Sequence, residues 1–471
     1  MKPTASPRVV IVGAGPAGVR AAEQLVAAGL RPVVIDEAPR AGGQIYRQPP
    51  PTLNRTARAL YGFEAGKALA LHARFEQLLP QLDHRPDTLV WHLEQRTLHL
   101  LGPRGLAEQP WEALILATGA TDRVLPFPGW TLPGITSLGG AQVALKAQGC
   151  LVGPRVVMAG SGPLLYLVAW QYASQGAQVL AVLDAAPAGT ARQVLGGLLA
   201  RPGVAAKGAF YLADLRRRGV PVHAGVSGLR AQGHERIESI EWQSQGATHA
   251  LACDALAVGH GLRSETQLAD LAGCAFAFDP TEEAWLPVRD AAGRSSVPGV
   301  YLAGDGAAIT GADAAELGGA RAALAVLQDL AREAPGWQAP AAQLERQMAP
   351  HQRFRKAMAA LNTPPANWAT ELPDETLVCR CEEVSAGDLR RCAAQTGALE
   401  LNRLKAFSRI GMGRCQGRMC GAAAARLLAE ATRQPLSAVG RLRAQPPIKP
   451  VPVEAFGDAE ARPAPQDERD D

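Results

Sequence analysis

Runs of apolar residues that end at glycine turns occur twice along this chain, and each is followed by a longer stretch with helical spacing. The first run, at 9–12, leads into the turn GAGPAG at 13–18, and another apolar run at 32–35 ends at an acid. The same order returns between residues 155 and 184. Strands that are apolar throughout are buried on both faces, as in the parallel sheets of βαβ units. The pattern predicts an α/β chain with two Rossmann-like dinucleotide-binding domains.

The first glycine turn has the features of a dinucleotide-binding motif. Gly13 permits a tight turn, Gly15 lets backbone NH groups approach a pyrophosphate, and Gly18 allows the helix to pack closely on the strand. The phosphates would lie at a helix N-terminus, where free NH groups favour negative charge. Asp36 is expected to bind a ribose hydroxyl, with Glu37 as the alternative. The predicted cofactor contacts of this unit are Gly13, Gly15, Pro16, Ala17, Gly18, Asp36 and Glu37.

Three later segments bear on which dinucleotide is bound. They read RAGGQ at 40–44, LILATGA at 114–120 and GVYLAGDG at 299–306. Together with the first motif, they resemble the glutathione-reductase-like flavoproteins, which have two dinucleotide-binding domains. The resemblance implies FAD as the cofactor, with Asp305 bound to its ribityl chain. The further contacts that it implies are Gly43, Gln44, Thr118, Gly119, Gly304 and Asp305.

The second unit departs from the motif at one position. Its turn reads GSGPLL at 160–165, so Leu165 stands where the third glycine belongs and forces the helix away from the strand. In the resembled family this half binds NAD(P)H, and Gly160 and Gly162 are the candidate contacts. No arginine follows Asp184, so nothing indicates an NADP site. NAD(P) binding and a retained scaffold with a lost or altered ligand both stay open.

The composition is that of an ordinary globular protein. The 471 residues suffice for two or three domains, and 47% of them are hydrophobic. The net charge of +4, from 48 basic and 44 acidic residues, is too balanced for a nucleic-acid-binding protein. No apolar stretch reaches the about 18 residues of a membrane span, and residues 1–7 do not resemble a leader. A cytoplasmic location without a transmembrane segment is therefore expected.

Four of the eight cysteines form two close pairs near the C-terminus, as C-x-C and then C-x4-C. Thiolates on two loops are the usual ligands of a 2Fe-2S cluster, whose negative charge nearby arginines would offset. Structural zinc fits this spacing less well, and disulfides are not expected where thiols stay reduced. The predicted metal ligands are Cys379, Cys381, Cys415 and Cys420, and the nearby arginines are Arg380, Arg409, Arg414 and Arg418.

The remaining cysteines offer no redox or catalytic group. A disulfide reductase needs a redox CxxC, because one thiolate attacks and its neighbour resolves, and the sequence has none. We interpret the other cysteines as packed apolar residues and His260 as structural, so no catalytic residue is predicted. These cysteines are Cys150, Cys253, Cys274 and Cys392.

The segment around the cysteine pairs predicts a small helical domain. Ser385 and Asp388 have the spacing of a capping box, and further helices are expected over 400–408 and 421–432. The predicted organisation is an FAD-binding domain from 1–145 and 265–330, a second dinucleotide domain over 146–264, a linker over 331–375, a 2Fe-2S domain over 376–440 and an extended, largely disordered tail over 441–471.

This C-terminal domain resembles the 2Fe-2S domain named for bacterioferritin-associated ferredoxin. Fused to such a flavoprotein, with GMGRCQGRMC at 411–420 and RAQPPIKP at 443–450, it is similar to the A or alpha subunit of heteromeric amino-acid dehydrogenases. That group includes opine oxidases, hydroxyproline dehydrogenase and hydrogen cyanide synthase. The resemblance implies an electron-transfer subunit of a complex that oxidises the C–N bond of a small amino acid or opine, such as hydroxyproline, proline, octopine, nopaline or a glycine-like compound.

The resemblance also implies partners. Substrate oxidation would take place on a glycine-oxidase-like flavoprotein beta subunit, while a downstream electron acceptor and a small ferredoxin-like gamma subunit are further candidates. A self-sufficient NAD(P)H-dependent ferredoxin-type reductase is the alternative, against which Leu165 argues. An assembly scaffold with vestigial sites is a third interpretation, disfavoured because the first glycine motif and the four cysteines are intact.

Overall fold

The computed structural model describes residues 8–456, except residues 54, 188 and 366 and the side chains of residues 191 and 193. Two parallel sheets of five strands each organise this part of the chain, and a helical module follows them. The predicted α/β class with two Rossmann-like domains is confirmed. Residues 457–471, the end of the predicted tail, lie outside the described residues.

The first parallel sheet is built from the apolar runs at both ends of the first domain. Ile11 pairs with Val34 on one side and with Ile115 on the other. Since side chains alternate along a strand, Val9 and Ile11 face the helices, and the intervening valines face an antiparallel sheet. The strand order is Val300–Leu302, Ala113–Leu116, Val9–Val12, Val33–Ile35 and Asp83–Arg85.

Helices cover one face of this sheet, and a three-stranded antiparallel sheet covers the other. The helices are Pro16–Ala27, Ala65–Leu78 and Ala312–Asp329, with Ala57–Tyr61 beside them. The antiparallel strands are Leu89–Glu94, Thr97–Gly102 and Gly105–Pro110. Farther along the chain this domain adds the helix Gln267–Leu271 and the hairpin Phe276–Asp279 with Ala284–Pro287.

The second domain repeats this plan. Its strand order is Val222–Ala224, Gln178–Asp184, Arg155–Gly160, Ala255–Gly259 and Ile135–Ser137. Its helices are Leu138–Val143, Pro163–Ser174, Thr190–Gln193, Leu195–Leu198 and Pro202–Arg217, and its antiparallel strands are Ser227–Gln232, Ser239–Ser244 and Ala247–Ala252. The sheet takes in Ile135–Ser137, ahead of the boundary that the sequence places at residue 146, because a three-residue strand leaves too short a pattern to recognise.

A two-stranded ribbon joins the two domains. Ala120–Asp122 leaves the first domain and pairs antiparallel with Leu262–Ser264, which returns to it. The segment predicted as a linker contains the long helix Gln338–Leu361 and the short helix Trp368–Glu371. The long helix packs against Ala312–Asp329, so this segment is anchored to the body of the protein.

The C-terminal module has its own apolar core. Ser385 begins its first helix with the predicted capping box: its hydroxyl accepts a hydrogen bond from the NH of Asp388 (3.1 Å), and its own NH donates to Asp388 Oδ2 (2.9 Å). The module comprises the hairpin Leu377–Cys379 with Val384–Ser385 and the helices Ala386–Thr396, Leu401–Ser408 and Gly421–Thr432.

Residues 441–456, which we call the strap, run from this module over the first domain. Arg441 and the NH of Ala444 bind the carboxylate of Asp270. Ile448 is 2% exposed, and its NH donates to the carbonyl of Trp91 (3.0 Å). The part of the predicted tail that the structure describes is therefore mostly exposed but attached to the first domain at these points, and it ends in the short 3-10 helix Val453–Phe456.

Candidate functional site

Two glycines of the first turn leave no room for a side chain. A Cβ at Gly13 would lie 2.3 Å from the carbonyl oxygen of Ala117, and one at Gly18 would lie 1.8 Å from the carbonyl oxygen of Gly13. Gly15 faces Gly43, whose Cα would be 3.6 Å from a Cβ at Gly15. The turn opens the helix Pro16–Ala27, so free backbone NH groups border a cleft lined by glycine.

The acid at the end of the second strand is held by the same turn. Asp36 accepts hydrogen bonds from the NH of Ala14 (2.5 Å) and of Ala38 (2.7 Å). Burial raises the pKa of Asp36, and these two NH groups oppose that rise. Glu37 is exposed and ion-paired with Lys449 of the strap. Of the two candidate acids, Asp36 is the one at the glycine turn.

The segments at 117–119 and 304–306 meet beside this turn. A Cβ at Gly304 would lie 2.9 Å from Cβ of Ala17, and one at Gly306 would lie 2.5 Å from Oγ1 of Thr118. Asp305 Oδ1 accepts hydrogen bonds from the NH groups of Thr310 (2.8 Å) and Gly311 (3.0 Å), and burial raises the pKa of this carboxyl. The predicted residues therefore come together, with Gln44 exposed at the edge.

Lys146 is a residue near this cleft that the sequence did not single out. Its side chain is 3% exposed, and Nζ donates to the carbonyl of Ile45 (3.0 Å), directly after Gln44. Burial, and after it the charge of Arg47, lowers the pKa of Lys146 to about 8. Lys146 lies on the π-helical turn Ala144–Gln148, and one lysine in an otherwise apolar helical pattern carries no signal of burial.

The second glycine turn is covered by the protein itself. A Cβ at Gly162 would lie 1.7 Å from Oδ1 of Asn362, the residue that ends the helix Gln338–Leu361. Asp184 is also engaged, because its carboxylate accepts from the hydroxyl of Tyr166 (2.6 Å) and from the NH of Ala186 (2.9 Å). Leu165 is fully buried in the domain core. Asn362 therefore occupies the space over the second turn, whereas each oxygen of Asp184 accepts one hydrogen bond, as each oxygen of Asp36 does at the first turn.

The four cysteines of the C-terminal module converge. Cys379 and Cys420 are buried, Cys415 is partly buried and Cys381 is exposed. The thiol of Cys420 lies beside Cys379 and Cys415, and the thiol of Cys381 lies beside Cys415. In the described chain, no three of these sulfurs lie within 4.8 Å of one another. The sulfurs thus form an open chain and not a compact tetrahedron.

Two of these cysteines have lowered pKa values, which favour the thiolate form. The Cys420 thiol, which can donate a hydrogen bond to either sulfur, lowers the pKa of Cys379 to about 6 and that of Cys415 to about 5, against the effect of burial. The same contacts raise the pKa of Cys420, and burial raises that of Cys381. Gly413 is required beside them, since a Cβ there would lie 2.1 Å from Cβ of Cys381. Thiolates among backbone NH donors are good metal ligands.

Residues 263–267 connect the two sites. Thr118 Oγ1 donates to the carbonyl of Glu265 (2.6 Å), and the NH of Glu265 donates to the carbonyl of Gly119 (3.0 Å). On the cysteine side, Arg418 Nε lies 2.7 Å from Glu265 Oε2, and Arg263 Nη1 donates to the carbonyls of Gly417 (3.3 Å) and Arg418 (3.2 Å). A single short segment therefore bonds both to the turn at 118–119 and to the loop that carries Cys415 and Cys420.

The arginines near the cysteines are arranged differently from the sequence expectation. Arg380 lies over the ring of Trp130, and Arg409 pairs with Glu382. The guanidinium that reaches the cysteine loop from outside the module is that of Arg263. Burial lowers the pKa of Arg263, and the charges of Glu265 and the cysteines oppose this shift without cancelling it. A contact between residues 154 positions apart leaves no local signal.

One cysteine assignment was wrong. Cys150 is exposed, because it follows the left-handed Gly149 that ends the turn Ala144–Gln148 and starts a loop. Cys253 and Cys274 are buried as predicted, and Cys392 is partly buried on its helix. His260 is buried, and burial with the nearby Arg123 lowers its pKa to about 3, so its imidazole is neutral. No helix in the described residues has the length and apolarity to cross a lipid bilayer.

Comparisons with known proteins agree with this architecture. The family model for pyridine nucleotide-disulphide oxidoreductases matches residues 7–326, and that for the sarcosine oxidase A3 domain matches residues 374–460. The solved structure of L-proline dehydrogenase from P. horikoshii shares the fold, with a TM-score of 0.70 and 21% identity over 96% of this chain and 79% of that one.

Two curated relatives match nearly the whole chain. The A subunit of opine oxidase from Rhizobium meliloti is 38% identical over 94% of this chain and 86% of its own length. The HcnB subunit of hydrogen cyanide synthase from Pseudomonas protegens is 36% identical over 95% of this chain and 97% of its own. The chain belongs to the pyridine nucleotide-disulphide oxidoreductase family of FAD-dependent enzymes, in the group that contains the HcnB subunit of hydrogen cyanide synthase and the A subunit of opine oxidase.

Proposed function

We propose that this chain is the electron-transfer subunit of a heteromeric dehydrogenase or oxidase that acts on the C–N bond of a small amino acid or opine. It would carry FAD at the first glycine turn and a 2Fe-2S cluster at Cys379, Cys381, Cys415 and Cys420. The observation that carries the proposal is the bridge at 263–267, which bonds both to the turn at 118–119 and to the cysteine loop.

The residues of the first site fit FAD. Gly15 and Gly43 lie against each other without side chains, so a pyrophosphate could approach the free backbone NH groups at the start of Pro16–Ala27. Asp36 lies where the motif places the acceptor for a ribose hydroxyl. Every hydrogen bond described at Asp305 is made by Oδ1, which leaves Oδ2 for a hydroxyl of the ribityl chain.

The cysteine set fits a two-iron cluster better than zinc. Tetrahedral zinc at about 2.3 Å from each thiolate would hold all four sulfurs about 3.8 Å apart. Here no three sulfurs of the described cysteines come within 4.8 Å of one another, as expected for ligands divided between two metal ions. When bound, FAD exchanges one or two electrons and a two-iron cluster one, so together they convert a two-electron oxidation into single-electron steps.

The relatives support a partner for substrate oxidation. The opine oxidase and hydrogen cyanide synthase relatives are, by name, single subunits of larger enzymes. We therefore assign substrate oxidation to a glycine-oxidase-like flavoprotein beta subunit. A downstream acceptor and a small ferredoxin-like gamma subunit complete the proposed complex. Thiolate ligands need a reducing compartment, which supports a cytoplasmic location.

The competing function is a self-sufficient NAD(P)H-dependent ferredoxin-type reductase. The contact of Asn362 with Gly162 counts against it, because the Asn362 side chain occupies the space over the turn that a dinucleotide would need. Mixing NADH or NADPH with the purified chain and following flavin absorbance separates the two functions. Bleaching of the flavin by either nucleotide would favour the reductase.

Cofactor analysis tests the relay. The chain, purified without oxygen, should contain one flavin and about two iron and two sulfide. Cys415→Ser should lose the iron and keep the flavin, whereas Cys392→Ser, on a helix in the same module, should keep both. Zinc in place of iron, or a Cys415→Ser variant with unchanged iron and sulfide, would contradict the cluster assignment.

A further inference from the structure

A group of histidine and glutamate side chains lies on the antiparallel sheet of the first domain, away from both cofactor sites. His92, Glu94 and His99 each offer one ligand atom, and these atoms lie within 4.8 Å of one another. His92 on Leu89–Glu94 is the register partner of His99 on Thr97–Gly102, and the two rings stack with centroids 5.0 Å apart. Strand pairing, rather than flexible side chains, therefore brings the two imidazoles together.

Two carboxylates flank the imidazoles. Glu94 Oε2 lies 3.9 Å from His92 Nε2, and Glu108 Oε1 lies 3.7 Å from His99 Nδ1. Glu108 is the register partner of His99 on the third strand, Gly105–Pro110. The glutamate side chains are 67% and 69% exposed, so they can turn towards an ion without disturbing the core.

The environment of His92 is suitable for a residue that binds a metal ion. Its Nδ1 is buried and has no hydrogen-bond partner, so nothing in the described chain fixes its tautomer. Imidazole binds metals in its neutral form, through a ring nitrogen that carries no proton.

We propose that His92, His99 and Glu94 bind one divalent transition ion of the zinc class, with Glu108 as the fourth ligand. Two imidazole nitrogens with carboxylate oxygens suit zinc, copper and nickel, whereas magnesium and calcium prefer sites made of oxygen alone. The site uses none of the cysteines and does not depend on the proposed function.

An ion here would reinforce the surface on which the strap rests. The ring of Trp91 lies 5.7 Å from that of His92 and 5.4 Å from that of His99, measured between centroids. Trp91 also contacts Phe456 edge to face, and its carbonyl accepts the NH of Ile448. A bound ion would cross-link the three strands that carry its ligands, beside these contacts, and would raise the thermal stability of the protein.

Equilibrium dialysis of Zn²⁺ against the cofactor-containing protein tests the proposal. The double variant His92→Gln/His99→Gln should lose one equivalent of zinc relative to wild type, and each single variant should bind it at least about tenfold more weakly. His249→Gln is the matched control, because His249 is a partly buried histidine stacked on Trp242 in the other antiparallel sheet. All proteins keep the four cysteines, so zinc bound there cancels in the comparison.

Substitution of the exposed glutamates gives a second test, which does not depend on correct folding of the histidine variants. Glu94→Gln/Glu108→Gln leaves the packing unchanged and should also weaken zinc binding, while Mg²⁺ at the same concentration should not compete. Equal zinc uptake by wild type and the double histidine variant would overturn the proposal. An equal loss in His249→Gln would overturn it as well.

Discussion

Arg418 Nε lies 2.7 Å from Glu265 Oε2, and this ion pair holds the loop of Cys415 and Cys420 against the first domain. The two side chains are 15% and 13% exposed, so water screens their charges less than those of a surface pair. The main chain of Glu265 bonds to Thr118 and Gly119 at the same time. The pair therefore sets how the cysteine module sits relative to the first glycine turn.

Removing the arginine of this pair should destabilise the protein. Arg418→Met leaves the carboxylate of Glu265 without its partner and should cost about 2 kcal/mol in the free energy of unfolding, measured with urea. Glu265→Gln keeps an acceptor and should cost less. Arg391→Met is the control, since Arg391 is 60% exposed in its pair with Asp388 and its loss should change stability by less than about 0.5 kcal/mol. Equal effects of Arg418→Met and Arg391→Met would contradict this prediction.

Arg263 should tune the proposed cluster. Its guanidinium binds the carbonyls of Gly417 and Arg418, and a nearby cation favours the more negative, reduced form of a cluster. Arg263→Met should therefore make the reduction potential more negative, as read from a redox titration followed by electron paramagnetic resonance. Arg414→Met should leave it nearly unchanged, because Arg414 is exposed although it precedes Cys415. A larger shift in Arg414→Met would reverse this assignment.

Uncovering the second glycine turn should restore nucleotide affinity. In Asn362→Gly/Tyr166→Phe, the space over Gly162 opens and the carboxylate of Asp184 is released. We expect at least about tenfold tighter NADH binding than in wild type, measured by titration calorimetry, since a buried polar group freed from one partner seeks another. Leu164→Ala, on the same helix, serves as the control. No gain in the double variant would show that Leu165 alone abolishes the site.

The buried Lys146 should make stability depend on pH in a defined window. Its pKa is about 8 in the folded chain, below the ordinary value of 10.5, so between these pH values only the unfolded chain holds the proton. Stability attributable to this residue therefore rises as the pH increases from about 8 to about 10.5, by up to about 3 kcal/mol.

The Lys146→Met variant isolates this contribution. The difference between the unfolding free energies of variant and wild type should shrink across that window. Wild type becomes more stable there because Lys146 loses its proton and no longer places a charge in the folded interior. Lys356→Met, at an exposed position, should show a flat difference. A flat difference for Lys146→Met as well would mean that the pKa of Lys146 is the same in the folded and unfolded chains, which would contradict this prediction.

The sequence predicted those parts of the molecule that local backbone geometry encodes. The turns at 13–18 and 160–165, the capping box of Ser385 and the helices at 400–408 and 421–432 each follow from a few adjacent residues, and the structure has them in place. The convergence of the cysteine pairs also followed, because two short loops in one small module can meet in few ways.

Contacts between distant segments could not be predicted from the sequence. Arg263 at the cysteine loop, Asn362 over Gly162 and the burial of Lys146 depend on surfaces that meet only after folding. The attachment of the strap to the first domain was missed for a related reason, since a proline-rich segment has neither helical nor strand periodicity. The exposure of Cys150 depended on a left-handed glycine that the hydrophobic pattern does not show.

The strap fixes the position of the cysteine module relative to the first domain. Its contacts to Asp270, Trp91 and Glu37 fasten the module to the first domain at three successive points. Under the proposed function, electrons would then cross a constant distance between the flavin and the cluster. A protein that accepts these electrons would have to dock at the module. Cys381, the exposed member of the four, marks the side on which that encounter would occur.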